Sequence, residues 1–491
     1  MAGIHLDKNW LQEYSSLVSR AISAVAEHYE EVYVTGGAVR DWLSGSSAGD
    51  LDFTIKGNGI NAAKLFAQKT GGVFVMLDER EKVARVVVGD LTFDISSFRE
   101  GTCNINDDLA LRDFSINAMA VAIDPDTGTL AASLKVLDPQ GGADDLDRGV
   151  VRAANAKVFE SDPLRLLRAY RFSATLGFSL EAKTKDWIKS KSSMLTRSAP
   201  ERITYELNLI MASTRAAGTI QQMDKTGLLG IIFPELMPGR GLAQPASHHL
   251  DVLHHNLAAL AASEKIIGKP EEYFPDQPDL FISYVSRKNM AVLIKWAALF
   301  HDLGKPEAHM TRDDGRATFY NHDRVGAEIF GEIAGRLRWS KDHIRIVSGL
   351  IGAHMYPFHL SNAERTTGIT PRACLRLVKT AGDDLPGLFI LAMADSIASQ
   401  GPLRPAEMEG NLVDLFARVD QVYRESIKPV LSGPPLLTGH DLEKIGLEPG
   451  PIYGRILEGI EQARVAGEID DRQQAVLWVD NFLAKEEGEE G

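Results

Sequence analysis

Apolar residues along the chain keep two different rhythms. Up to about residue 147 they come in short β-branched or alternating runs, VYVT (32–35), LDFTI (51–55), VARVVV (83–88) and LTFDI (91–95), which is the pattern of strands. Gly89-Asp90 separates the last two runs by two residues, the spacing of a hairpin turn. From about residue 150 the apolar positions recur every three to four, as in SLEAKTKDWIKS, RITYELNLIMAS, VLIKWAALFHDL and RVGAEIFGEIAGRL, and these predict helices. Strands mixed with helices and then a long helical stretch define an α+β region followed by an all-α one. Breaks in the rhythm mark finer boundaries. Residues 264–288, with EEYFPDQPDL, read as an insertion or loop, PVLSGPPLLTG (429–439) as a linker to a last small helical unit, and KEEGEEG as a solvated acidic tail. The expected segments are 1–147, 148–245, 246–428 and 429–491.

Charge and cysteine content narrow the class. The net charge of −14 argues against indiscriminate nucleic-acid binding. Residues 148–202, however, hold twelve Lys+Arg against five Asp+Glu, a local +7 suited to a polyanion. The two cysteines, Cys103 and Cys374, give no disulfide framework, which points to a reducing, cytoplasmic setting. The start, MAGIHLDKNWLQEY, lacks the apolar stretch behind a basic flank that marks a signal peptide. No apolar run approaches the roughly 20 residues of a membrane helix, so no membrane partner is expected.

Candidate chemistry is concentrated at VYVTGGAVRDWLSGSSAGDLDFTI (32–55). Asp50 and Asp52, two apart on a strand, project to one face, and Asp94 on LTFDI can supply a third carboxylate. Carboxylates about 4 Å apart repel by roughly 4 kcal/mol per pair at an effective dielectric of 20, so such a cluster calls for cations. Oxygen ligands of this kind suit Mg²⁺, and two such ions can clamp the attacking and leaving oxygens of a phosphoryl transfer. Gly36-Gly37, between a strand and an apparent helix 38–44, form a turn that lets backbone N–H groups approach a phosphate. Further along come Arg112-Asp113 and Asn117 in DLALRDFSINAMA, then FESDPLRLLRAYRFSATLGF. There Asp162-Pro163 reads as a helix start, with Arg165, Arg168 and Arg171 fanned along the helix.

GGAVRD…DLD, LRDFSINA, SDPLRLLRAYRF and PERITYEL, with PLLTGHDL and EPGPIYGRIL near the end, resemble the motifs of the bacterial-type tRNA nucleotidyltransferase and poly(A) polymerase family. The resemblance implies a polymerase-β-like nucleotidyltransferase head, then all-α neck, body, HD domain and tail. It also implies template-independent addition of C and/or A to tRNA from CTP and ATP. By the same resemblance Asp50, Asp52 and Asp94 are catalytic metal ligands, and Gly36, Gly37, Arg40 and Asp41 meet the triphosphate. Arg112, Asp113 and Asn117 fall at the ribose, and Arg168 and Arg171 at the nucleotide phosphates. Asp162 and Arg165 admit a chemical reading of their own. A carboxylate accepts and a guanidinium donates, which matches the amino-donor and ring-acceptor edge shared by cytosine and adenine and mismatches uracil and guanine. The competing reading is that Asp162 caps the helix.

Two motifs depart from the family pattern. Ser161-Asp162 stands where Glu-Asp is usual, and Leu111-Arg112-Asp113 where Arg-Arg-Asp is usual. The segment between SSFREG and NDDLALRD is also short, where CCA-adding relatives often carry a longer flexible loop. This favours addition of CC only or A only over a full CCA. A poly(A) polymerase remains an alternative, weakened because EREKVARVVV lacks the Arg-Arg cluster of that branch.

A second constellation lies in the helical part. His255 in DVLHHNL, His301-Asp302 in ALFHDLGKP and Asp395 in LAMADS, with His322 and His354 between, resemble the ordered ligands of the HD phosphohydrolase superfamily. Imidazoles with carboxylates suit Mn²⁺, Ni²⁺, Fe or Zn²⁺ better than Mg²⁺, and such a set activates water for phosphoester hydrolysis. A hydrolase with an inactive transferase head is the remaining alternative, opposed by the intact Asp50, Asp52 and Asp94. The sequence leaves the oligomeric state open.

Overall fold

A computed structural model describes residues 16–46, 50–124 and 135–489. The N-terminal stretch read above as lacking a signal peptide lies outside them. Tertiary contacts divide the chain into two compact units, Met1–Arg215 with Gln222–Ile232, and Ala216–Gln221 with Phe233–Gly491.

The first unit is built on a mixed seven-stranded sheet. Its strands are β1 (Val32–Thr35), β2 (Asp50–Ile55), β3 (Val73–Asp78), β4 (Val83–Val88), β5 (Leu91–Ser97), β6 (Ala120–Ala122) and β7 (Val136–Leu137), in the order β3-β4-β5-β2-β1-β6-β7. β2 and β5 run parallel with Asp52 opposite Asp94, and the other pairs are antiparallel. The period-two alternation sorts the faces. Val34, Leu51, Phe53, Ala84, Val86, Phe93 and Ile95 are buried in a core shared with helices α1 (Ser16–Ala26) and α3 (Gly59–Thr70). Phe66 of α3 sits 4.9 Å from Phe93, ring centre to ring centre. The intervening residues, Thr35, Asp52, Thr54, Arg85 and Asp94, fall on the opposite face, so the strands that build the core also build a polar floor. All four expected strands are present, and Gly89, at φ +61, makes the β4–β5 turn. Helix α2 (Gly37–Leu43) follows β1 directly.

Helix Arg165–Leu176 and helix Pro200–Ala212 pack together in this unit. A tight turn precedes the first of them, with Arg165 N–H donating to Asp162 O at 3.0 Å and Leu166 N–H to Pro163 O at 3.1 Å. Pro163 therefore opens the turn, and the regular helix starts two residues later.

The second unit is helical. Helices Val252–Gly268, Met290–Phe300 and Leu385–Ala398 pack mutually, and helices His322–Arg336 and Lys341–Ala353 pack as a pair. The segment expected to be an insertion or loop over 264–288 is instead structured. Helix Val252–Gly268 runs through its start, and helices Pro270–Tyr273 and Pro278–Ser286 follow. Phe274 stacks on Phe281 at 3.8 Å, and both rings pack on Phe416. Pro270 and Pro278 sit at helix starts, where their missing N–H costs nothing, and Pro275 lies in the short turn between the two helices. The expected linker likewise begins later, because helix Lys428–Ser432 occupies its first residues. The last helices, Gly439–Lys444, Pro451–Val465 and Arg472–Glu489, have a core of their own around Leu442, Ile456, Ile460 and Val479.

Candidate active sites in the two units

In the first unit, all fourteen head and neck residues singled out in the sequence line one cavity of about 550 Å³. They are Gly36, Gly37, Arg40, Asp41, Asp50, Asp52, Asp94, Arg112, Asp113, Asn117, Asp162, Arg165, Arg168 and Arg171; Arg99 and Phe172, which sequence reasoning missed, complete the wall. The Gly-Gly turn is required by the acids beside it. Gly36 has φ +73, and a Cβ there would lie 2.8 Å from Asp52 Oδ2 and 3.2 Å from Arg112 Nη1. Its N–H donates to Met119 O at 3.2 Å, which ties this amide into the fold.

The three acids do not form the uncompensated cluster expected from the sequence. Arg85, on β4 opposite Asp94, holds that carboxylate bidentately, Nε to Oδ1 at 2.7 Å and Nη2 to Oδ2 at 2.9 Å. Asp52 is pushed above the usual carboxylate range, first by burial; the Arg112 charge opposes the shift and Asp94 adds to it. Two guanidinium groups thus offset charge that a cation alone was expected to balance. Arg112 is buried, and Nη2 donates to Thr35 Oγ1 and Thr54 Oγ1, both at 2.8 Å. Burial, then the Arg99 charge, lowers its pKa to about 10.

The opposite wall is cationic and tightly braced. Asp113 accepts from Arg168 Nη2 at 2.6 Å, from Asn117 Nδ2 at 3.2 Å and from Phe114 N–H at 2.9 Å. Burial raises its pKa, but Arg168 and Arg165 outweigh that and hold the carboxyl well below its ordinary value. Arg171 donates to Glu206 Oε2 at 3.0 Å and lies 3.6 Å over the Phe172 ring. Arg40 donates to Asn117 Oδ1 at 2.8 Å and pairs with Asp41 at 2.7 Å. Asp113 and Arg112 therefore reach the cavity with their hydrogen bonds already assigned to protein groups. Asp162 does not cap helix Arg165–Leu176, whose N-cap is Leu164 with no side-chain cap bond; its carboxylate accepts Leu164 N–H at 3.2 Å within the preceding turn and pairs with Arg202 at 2.9 Å. Arg165 has only long contacts, 3.3 Å to Val158 O and 3.4 Å to Leu111 O. Arg202 stands in the PERITYEL motif, which was read without assigning it a role.

In the second unit, His255, His301, Asp302, His322, His354 and Asp395 converge. Asp302 divides them into two groups. Its Oδ2 lies 3.3 Å from His301 Nε2 and 3.5 Å from His255 Nε2, its Oδ1 3.3 Å from His322 Nε2 and 3.7 Å from His354 Nε2. Asp395 Oδ1 is 3.0 Å from His255 Nε2. Two residues were missed: His248, which groups with His255 and Asp395, and Lys305, whose Nζ donates to Asp302 Oδ2 at 2.5 Å. Their signals were the His248-His249 pair and the GKP after His-Asp-Leu. Gly304 between them is fixed by close approach, since a Cβ would sit 2.2 Å from His322 O.

The protonation pattern tests whether these residues suit metal ions. His301, His322 and His354 place Nδ1 against the carbonyls of Ala298, Phe319 and Ile351 at 2.9, 2.7 and 2.7 Å. A carbonyl only accepts, so each Nδ1 carries a proton and each Nε2 is the nitrogen turned toward the carboxylates; with no metal bound, burial lowers the His301 pKa, but Asp302 and Asp395 outweigh it and raise the value to about 10. Yet His322 and His354 hold their Nε2 atoms 3.2 Å apart. Burial, then neighbouring His322 and His301, lowers the His354 pKa to about 3, so it is a neutral donor. Imidazole nitrogens facing one another around a shared carboxylate fit cations between them.

A buried histidine–aspartate cluster on a helical unit and a carboxylate–arginine cavity on a mixed sheet point to a nucleotidyltransferase fused to an HD-type domain. Family models agree: "Poly A polymerase head domain" over residues 32–152, "Probable RNA and SrmB-binding site of polymerase A" over 177–239, and "HD domain" over 253–399. The chain is 33% identical to the A-adding tRNA nucleotidyltransferase of Deinococcus radiodurans, covering 93% of this chain and 96% of that one. It is 31% identical to the CC-adding tRNA nucleotidyltransferase of Thermus thermophilus, covering 91% and 92%. The fold is similar to that of the Thermotoga maritima CCA-adding enzyme complexed with tRNA, with TM-score 0.64 at 21% identity, over 98% of this chain and 100% of that one. The chain belongs to the bacterial tRNA nucleotidyltransferase family, and its head and HD domain imply dependence on divalent metals. Among the described residues no helix is long and apolar enough to cross a membrane.

Proposed function

We propose that the first unit adds C, A or both to tRNA 3′ ends from CTP and ATP, without a nucleic-acid template. The observation that carries this reading is the single cavity with carboxylates on one wall and arginines on the other. Asp50, Asp52 and Asp94 would hold Mg²⁺, which, when bound, supports in-line phosphoryl transfer from the triphosphate to a terminal hydroxyl. Arg40, Arg168 and Arg171, braced by Asn117, Asp113 and Glu206, orient the phosphates. Asp162 and Arg165 read the base edge, with Arg202 fixing the carboxylate. We assign 1–147 to the head, 148–245 to nucleotide selection and RNA binding, 246–428 to the HD domain and 429–491 to the tail. A cytoplasmic location accords with the free cysteines.

Partial addition, CC or A alone, is favoured over full CCA. The segment between β5 and Arg112 is short and anchored, because buried Asp108 accepts both the N–H of Arg99 at 2.8 Å and its Nη1 at 2.9 Å. The test is mass analysis of tRNAs ending before the first C, after one C or after CC, incubated with CTP, ATP or both. A tRNA lacking all three residues and carried to CCA overturns partial addition.

The HD domain is proposed to hydrolyse phosphoesters at damaged 3′ ends, as a 2′,3′-cyclic phosphodiesterase or phosphatase using Ni²⁺, Mn²⁺, Fe or Zn²⁺. Its product would be the free hydroxyl that the head requires. The poly(A) polymerase alternative shares the head-domain model but is disfavoured by relatives named as tRNA nucleotidyltransferases over 93% and 91% of this chain.

A further inference from the structure

The histidine–aspartate cluster opens into a cavity of about 740 Å³, a size typical of sites that enclose a whole organic ligand. The wall has a direction. Helix Tyr356–Thr367 begins two residues after His354, and Phe358, Asn362 and Arg365 line the cavity along it. At 1.5 Å per residue, Arg365 stands about 14 Å along the axis from the helix start at Tyr356. Arg365 is exposed and makes no ion pair among the described residues. Tyr320, 62% exposed, lines the same cavity. Asp323 is the acid in the lining besides the ligand Asp395.

We propose that this cavity reads an RNA strand and not a lone nucleotide: the cluster takes the terminal phosphate, Tyr320 offers a face for a base, and Arg365 holds the phosphate one nucleotide upstream. The inference rests on the phosphohydrolase reading above. A mononucleotide whose phosphate lies at the cluster leaves Arg365 without an anion, whereas a strand continuing in the 5′ direction supplies one. Stacking on an exposed aromatic ring tolerates any base, as a site for varied RNA ends needs. In the reaction, water adds to phosphorus of a 2′,3′-cyclic phosphate, the P–O3′ bond breaks and the proton passes to O3′. A 3′-hydroxyl and a 2′-phosphate remain.

The experiment compares kcat/KM of the full-length protein, with Ni²⁺ or Mn²⁺, on a 2′,3′-cyclic mononucleotide and on a short oligoribonucleotide with the same terminus. Bis(p-nitrophenyl) phosphate serves as a substrate that needs neither base nor second phosphate. We expect the oligonucleotide to be favoured by about tenfold or more, and Arg365→Gln to bring that ratio near one. Arg365→Lys should keep part of it, since it retains the charge. Tyr320→Ala should weaken both nucleotide substrates relative to bis(p-nitrophenyl) phosphate. Equal kcat/KM for the two nucleotide substrates in the unaltered protein, or an unchanged ratio in Arg365→Gln, overturns this inference while hydrolysis itself stands. No turnover of any of the three with any transition metal overturns the phosphohydrolase reading and this inference with it.

Discussion

Gly36→Ala tests whether the turn after β1 is shaped by the acids beside it. Two costs follow from the geometry. An alanine at φ +73 and ψ −134 would occupy a region adopted almost only by glycine, which costs about 2 kcal/mol. The added Cβ would also start 2.8 Å from Asp52 Oδ2, and relieving that contact to about 3.4 Å moves the oxygen by about 0.6 Å. Functional metal sites tolerate about 0.2 Å in ligand distance, and a misplacement near 1 Å can cost about a hundredfold in rate. The expected result is a modest loss of stability, a drop in Tm of about 2–8 °C for a unit of this size, together with a loss of CTP or ATP incorporation of about tenfold to a hundredfold. Gly37→Ala is the internal control. Its φ is not positive, and its Cβ would meet Arg40 Nη2 at 3.5 Å, an ordinary contact. Primer extension on tRNA, thermal denaturation and Mn²⁺ titration of each variant give the three readouts. If Gly36→Ala incorporates nucleotides within threefold of the unaltered protein, or Gly37→Ala loses as much, Asp52 is not the constrained ligand the geometry implies.

Asp50→Ala and Asp52→Ala should abolish nucleotide incorporation while leaving metal-dependent phosphoester hydrolysis unaltered; normal incorporation by either removes that residue from the reaction. Asp162→Ala or Arg165→Ala should erode discrimination against UTP and GTP by about 5- to 150-fold, the equivalent of about 1–3 kcal/mol for one unpaired group, and CTP/ATP preference surviving both changes would make the pair structural. Asp302→Ala should remove bound transition metal, measured by elemental analysis, and with it hydrolysis, while CTP incorporation at an intact 3′-hydroxyl persists. The depressed Asp113 carboxyl contributes stability that is present above its unfolded pKa of about 4 and is lost as pH falls through the lower folded value. Urea denaturation should therefore show Asp113→Asn less stable than the unaltered protein by about 3 kcal/mol at pH 7, with the difference shrinking below about pH 4; a difference that grows on acidification refutes the sign.

How far the sequence discloses the molecule depends on whether a feature is local. β2 and β5 were legible because each buries one face, so Leu51, Phe53, Phe93 and Ile95 alternate with Asp50, Asp52 and Asp94. β3 was not, because it is an edge strand whose Val73, Val75, Met76 and Leu77 are all exposed, and no alternation marks a strand with no buried face. The motifs located every candidate of the head cavity, yet not their partners. Arg85 lies on the same face as Asp94 only through the β4–β5 register, and Arg202 meets Asp162 only because two helices far apart in sequence pack together. The same limit explains why three carboxylates looked uncompensated. Prolines misled at 264–288 because a helix start and a loop use them alike, and the stacking of Phe274 on Phe281 that decides the matter is tertiary.

The two sites meet opposite electrostatic problems with different donor sets. In the head, hard oxygen ligands sit among guanidinium groups that remain charged at any working pH, so the acids tolerate their proximity before any cation arrives. Charge compensation by Arg85 and Arg112 keeps the cavity folded, and it also means that an entering ion competes with Arg85 for Asp94. A divalent cation in the head would therefore be held less tightly than by three unpaired carboxylates. In the HD domain, His301, His322 and His354 place a protonated Nδ1 against a backbone carbonyl, which turns each Nε2 toward the oxygens of Asp302. Lys305 reaches one oxygen of Asp302, while the Nε2 atoms of His322 and His354 face one another. Imidazole nitrogens paired around a buried carboxylate form a donor set that a divalent cation would satisfy, whereas the head offers oxygen ligands already partly neutralised by arginine.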